Sequence, residues 1–140
     1  MNTPNAVFSL KNYIFDQVKI DLSSLAERKS LGIDFTPEGE YNAQTGEYSL
    51  LFGFNAFPEE EKGSSVVSVR CAAIYEFPAK PTAAEIPEFF FVNSIAILFP
   101  YIRAFVSTVT LQANLIPPII LPTLNLTSLG QQLKENTRFL

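Results

Sequence analysis

Over residues 7–77 apolar side chains recur at every second position, the period of strands with one face on a core. In the first segment Phe8, Leu10, Ile14, Val18, Ile20 and Leu22 share one parity, while Ser9, Lys11, Gln17, Lys19 and Asp21 share the other. Asn12 and Asp16 interrupt the apolar side. The second segment alternates Leu31, Ile33 and Phe35 with Gly32, Asp34 and Thr36, and is expected to stop near Pro37, which has no N–H for a ladder. The small polar run Asn42, Ala43, Gln44, Thr45, Gly46 has the chemistry of a hairpin turn. A third strand follows, with Tyr48, Leu50, Phe52, Phe54 and Ala56 on one face. After a break at residues 58–63, a fourth places Val67, Val69, Cys71, Ala73, Tyr75 and Phe77 together. Consecutive strands joined by short turns predict a four-stranded antiparallel meander.

Beyond Pro78, Pro81 and Pro87 the pattern changes. Residues 89–133 carry a single charge, Arg103. Tyr101, Ile102, Phe105, Val106 and Val109 fall at helical spacing and predict a helix over 100–112, with Pro100 in its first turn. A helix so poor in charge lacks an ordinary solvent face. Either a second copy of the chain covers it, making a homo-oligomer, or residues 89–98 fold over it in a monomer. Three prolines in Ile116-Pro117-Pro118-Ile119-Ile120-Leu121-Pro122 force an extended crossing segment that borders an apolar groove or packs on its own core. A last helix is signalled by Leu129, Leu133 and Asn136 on one stripe. Ser128 with Gln131 has the form of a capping box, and Asn125 offers a cap one turn earlier.

Composition narrows the chemistry. At 140 residues the chain fits one domain, 1–140, and its charged share of 17% against 47% hydrophobic leaves little to cover a monomer. It has no histidine and one cysteine, so histidine-based triads, cysteine-rich metal sites and intrachain disulfides are all excluded. Cys71 reads as a packing residue, and a reducing cytoplasm suits it. A net charge of −4 argues against nucleic acid as a partner. Lys11, Asp16, Lys19 and Asp21 break up the first 25 residues, so no signal peptide is expected there. Interruptions at Glu88, Asn93, Ser94, Pro100 and Arg103 argue against membrane insertion. Glu38 with Glu40, and Glu59 with Glu61, fall in turn-like stretches where solvated carboxylates are the default, and no glycine loop is placed to cradle a phosphate. No catalytic residue, metal or cofactor is expected.

One stretch is familiar. Ile97-Leu98-Phe99-Pro100-Tyr101-Ile102-Arg103, then Pro117-Pro118, then Leu121-Pro122 and Asn125, resembles the signature region of the SecB-type export chaperones over about 30 residues. The resemblance implies an α+β fold: a four-stranded antiparallel meander sheet over about 7–77 and two helices over about 88–112 and 126–138 packed on it. It further implies a dimer of dimers, hence a homotetramer, with Tyr101, Arg103, Phe105 and Val109 at the oligomer interface. The family holds unfolded polypeptide chains without ATP and, in export, passes them to SecA. Carried onto this sequence, client binding falls on Ile33, Phe35, Ile119, Leu121, Leu126, Leu129 and Leu133. Asp16 matches an acidic partner-binding position of the first strand. Ala104, Gln112, Ala113, Thr127 and Ser68 depart from the family pattern, Ser68 standing where the export chaperones meet SecA with an acidic residue. These departures suit a dedicated chaperone for one partner, such as an antitoxin, as well as a general holdase. A domain holding an apolar small ligand in the groove is the alternative from another class.

Overall fold

The computed structural model describes residues 7–23, 30–61 and 63–140. Its elements in chain order are β1 (Ser9–Ile20), β2 (Leu31–Asn42), β3 (Glu47–Pro58), β4 (Val67–Glu76), a short 3-10 turn (Ala83–Glu85), α1 (Phe89–Gln112), α2 (Leu126–Glu135) and β5 (Thr137–Phe139). They form two compact units, one ending at Ile86 and including residues 136–140, the other spanning residues 87–135.

In the sheet unit, β3 and β4 follow the alternation closely. Tyr48, Leu50, Phe52, Phe54 and Ala56 are buried, as are Val67, Val69, Cys71, Ala73 and Tyr75. The β2–β3 turn closes as its residues require: Asn42 Oδ1 accepts the Gln44 N–H at 2.9 Å, and Gly46 takes a φ of +73°, open to glycine without strain.

The strand order, however, is β1-β4-β3-β2-β5, so the four-stranded meander expected from sequence gives way to a mixed five-stranded sheet. β2, β3 and β4 do pair in succession, antiparallel, but β1 skips β2 and pairs antiparallel with β4. The physical reason lies in the connections. Residues 42–46 make a tight turn, whereas residues 21–30 are too many for one, and the tendency of sequence neighbours to pair weakens with the length of the link. β5 adds on the far edge, parallel to β2.

Two bulges in β1 correct the single-parity reading of that strand. Leu10 faces Tyr75 but Asn12 faces Ile74, and Phe15 faces Cys71 but Gln17 faces Arg70, leaving Lys11 and Asp16 as the extra residues. Each bulge moves the chain's parity by one. Leu10, Tyr13, Phe15, Val18 and Ile20 therefore stand opposite the buried row of β4, and Ile14 is turned to the other face, exposed. Pro37 does not end β2, which continues to Asn42. Over residues 31–38 the side of β2 away from β3 has no partner strand among the described residues, and an edge tolerates a residue without an N–H.

In the helical unit, α1 starts at Phe89, a full three turns before the helix expected from Pro100, and matches the longer span that the family resemblance implies. Pro100 lies inside it on an exposed position and removes one N–H donor from the helical ladder. By length and composition α1 could cross a bilayer, despite the interruptions noted in the sequence. Asn114, at φ +64°, ends it, with the Leu115 N–H returning to the Thr110 carbonyl at 3.0 Å. The start of α2 is set by Asn125, whose Oδ1 accepts the Ser128 N–H at 3.1 Å, so of the two candidate caps it is Asn125 that acts. The helix expected to reach 138 stops at Glu135, because Thr137, Arg138 and Phe139 find a strand to pair with.

Candidate functional site

Ile33 and Phe35 sit on β2 opposite Ala56 and Phe54. Both are half-buried, and the Phe35 ring lies 5.5 Å from that of Phe52 and 5.6 Å from that of Phe54. Their strand presents its outer edge over residues 31–38. From Gly39 onward β5 occupies that edge, with the Gly39 N–H bonded to the Asn136 carbonyl at 3.2 Å and the Leu140 N–H to the Tyr41 carbonyl at 2.9 Å.

The remaining client-binding candidates are in the helical unit and divide by burial. Ile119 and Leu126 are half-buried, whereas Leu121, Leu129 and Leu133 are buried, and so belong to packing in the isolated chain. Thr110 holds the crossing segment in place: its hydroxyl donates to the Val106 carbonyl at 2.7 Å and accepts the Ile119 N–H at 3.0 Å. Two residues absent from the candidate set are the more available. Ile116 is 59% exposed and Ile120 73%. The proline spacing that makes this segment extended was the signal for them, since an extended chain fixed by Ile119 turns its neighbour outward.

On α1 the candidate interface residues Tyr101 and Arg103 are exposed, and Phe105 and Val109 half-buried. The Arg103 guanidinium lies 5.0 Å over the Phe99 ring, an apolar seat for the only charge on the helix. Phe89, Ile97 and Leu111 are exposed as well. With Asn93, Tyr101, Ala104 and Thr108 they make one continuous stripe at spacings of three and four, which α1's helical period aligns. Reading the helix only from Pro100 hid its first half. A smaller cavity of about 280 Å³ lies between the start of α1 and α2, lined by Phe89, Phe91, Val92 and Gly130, and flanked by the Glu88–Lys134 ion pair.

The face of the sheet opposite its buried row mixes polar side chains with Ile14, Leu51 and Ile74. A groove of about 600 Å³ crosses it, lined among others by Asp16, Gln17, Thr36, Asn55, Ser68 and Arg70. Asp16 is not a bare carboxylate there. Arg70 Nε and Nη2 donate to its two oxygens at 3.0 and 2.6 Å, which holds the Asp16 carboxyl below the usual range and the guanidinium above its own. Ser68 donates to Asn55 Oδ1 at 2.6 Å, and Asn55 Nδ2 to Asp34 at 3.3 Å. A partner arriving at Asp16 would meet a carboxylate already engaged.

Cys71 is buried on β4, and burial pushes its thiol up to about 11, far from the thiolate that nucleophilic chemistry requires. Among the described residues no group of three or more acidic or cysteine side chains is placed to hold a metal ion.

Together, the mixed sheet, the long charge-poor helix, the proline-rich crossing segment and the short second helix define a SecB-like fold. The solved SecB-like chaperone Rv1957 of Mycobacterium tuberculosis, in complex with a ChAD peptide from the HigA1 antitoxin, superposes with a TM-score of 0.67 at 17% identity, over 84% of this chain and 88% of that one. In sequence, the chain is 29% identical over 138 residues to an uncharacterized protein of Methanocaldococcus jannaschii, covering 94% of this chain and 88% of the relative. No protein-family model matches.

Proposed function

We propose that the protein is a SecB-like chaperone that holds extended polypeptide segments without nucleotide and without chemistry. The observation that carries this reading is the SecB-like fold joined to apolar side chains left on extended backbone: Ile33 and Phe35 on the open part of β2, Ile119 and Ile120 on the crossing segment. Such walls gain roughly 25 cal/mol for each Å² of apolar surface they cover and discriminate little among sequences. In the helical unit Leu126 joins Ile119 and Ile120, while Leu121, Leu129 and Leu133 are buried packing residues of that same unit.

The chain assembles through the exposed stripe of α1, with Tyr101, Arg103, Phe105 and Val109 in the contact, as a dimer or a homotetramer in the cytoplasm. An apolar helix face of this length on a soluble domain is the feature a second copy covers. By the same argument α1 is an interface helix and not a membrane span.

A single dedicated client is favoured over preproteins bound for SecA. The solved neighbour holds an antitoxin peptide, Asp16 is engaged by Arg70, and Ser68, standing where the resemblance implies an acidic residue that meets SecA, bonds Asn55 instead.

The test is refolding of a chemically unfolded, slow-folding protein with the chaperone at equal concentration and no nucleotide present. A delay that saturates near one oligomer per client supports the reading, and a well-folded oligomer that causes none overturns the general-holdase form. Phe35→Asp with Ile120→Asp should abolish most of the delay while leaving the circular dichroism spectrum unchanged.

A further inference from the structure

β2 carries one row of side chains, Leu31, Ile33, Phe35, Pro37, Gly39 and Tyr41, along a single face. Its outer edge is divided. Residues 31–38 have no strand beside them among the described residues, while Gly39, Glu40 and Tyr41 face Thr137, Arg138 and Phe139 of β5. The chain thus seats its own strand on the edge that bears the client-binding candidates.

That seating is specific but slight. The hydroxyls of Tyr48 and Thr137 meet at 2.6 Å, the Asn136 amide donates to the Pro37 carbonyl at 3.2 Å, and the Phe139 ring lies edge-on to Tyr41 at 6.5 Å. Against this, β5 pairs over only three residues, and its apolar side chains are largely outside: Phe139 is 46% exposed and Leu140 64%. The Arg138–Glu40 contact, at 3.9 Å between exposed groups, adds little. A segment with so few buried apolar contacts opens at low free-energy cost.

We propose that residues 137–139 are a displaceable strand, a resident occupant of the β2 edge that an extended apolar client segment pushes aside by pairing along residues 31–41. The inference rests on the chaperone reading above and adds to it a competition inside the chain. With β5 seated, the free edge before the Asn136–Pro37 bond spans about 20 Å at roughly 3.3 Å per residue; with β5 displaced it spans about 36 Å. Main-chain pairing of this kind is tolerant of client sequence. The cost of displacement sets a threshold, so short segments bind the open part alone and long ones gain the rest.

The experiment locks the strand. Glu40 and Arg138 stand directly opposite in the register, both side chains are solvent-exposed, and Cys71 is buried, so Glu40→Cys with Arg138→Cys confines cross-linking to the engineered pair. The probe is reduced, carboxymethylated α-lactalbumin, a permanently unfolded chain, and the readout its dissociation constant by fluorescence anisotropy. The oxidised variant should bind about tenfold more weakly than the same protein after reduction, since the competent state is withheld. A second variant, Phe139→Ala with Leu140→Ala, loosens the strand without cysteines and should bind about threefold more tightly. Equal affinities of the oxidised and reduced forms, or no gain in the loosened variant, overturn this inference and leave the chaperone reading standing. Failure of the wild-type protein to bind the probe overturns this inference together with the general-holdase form of the chaperone reading.

Discussion

Asp16 shows how far a single side chain can be read ahead of its fold. Its charge and its place in an apolar row are visible in the sequence, but its partner Arg70 lies on a strand that only the long-range β1–β4 pairing brings alongside. The pair makes a pH-dependent contribution. Asp16 binds its proton less tightly folded than unfolded, so its stabilisation is complete above pH about 4 and is lost as pH falls through the depressed folded value. Thermal melts between pH 7 and 2 should fall less steeply for Asp16→Asn than for the wild type. Cys71 was legible without the structure, because its parity places it between Val69 and Ala73. In the native protein at pH 8 it should resist alkylation by iodoacetamide and react fully once unfolded in guanidinium. Gly39 is constrained for a reason sequence does not show: a Cβ there would fall 1.9 Å from the Tyr48 hydroxyl, the group that bonds Thr137.

Among the elements, β3, β4 and the hairpin before them were written in alternation and turn chemistry, and α1 was written only in part. Its first three turns, Phe89 to Phe99, have only Asn93 and Ser94 as polar residues, so helical period hardly registers, and Pro100 reads as a start although it lies mid-helix. β1 misled differently, since each bulge reverses parity and the polar breaks at Asn12 and Asp16 were the trace of it. β5 was illegible because three residues carry no period, and only their place beside β2 makes them a strand. Two substitutions test how the helical elements are joined. Thr110→Val leaves the Ile119 N–H without its acceptor and should cost about 1–2 kcal/mol in urea denaturation. At Gly130 a Cβ would come within 2.6 Å of a Val92 methyl and 3.1 Å of its backbone, so Gly130→Val should destabilise by about 1–3 kcal/mol through overpacking.

For the whole molecule, the scarcity of charge between residues 89 and 133 is the sequence feature that pointed furthest, to a chain that presents apolar surface. Ile97→Asp with Tyr101→Asp places two charges in the exposed stripe of α1 and should shift the species seen by light scattering toward the monomer, with the melting profile of the sheet retained. What composition could not supply was the order of strands, and that order governs how the chain is made. β1 is synthesised before β2, β3 and β4, yet Ile20 must wait for Val67 and Ser9 for Glu76 before either has its partner. β2, β3 and β4 meanwhile close on one another through near-neighbour turns, the contacts that form fastest. A nascent copy thus trails an unpaired strand bearing Tyr13, Ile14 and Val18 until its fourth strand has left the ribosome, and during that interval it is itself the kind of segment a chaperone holds.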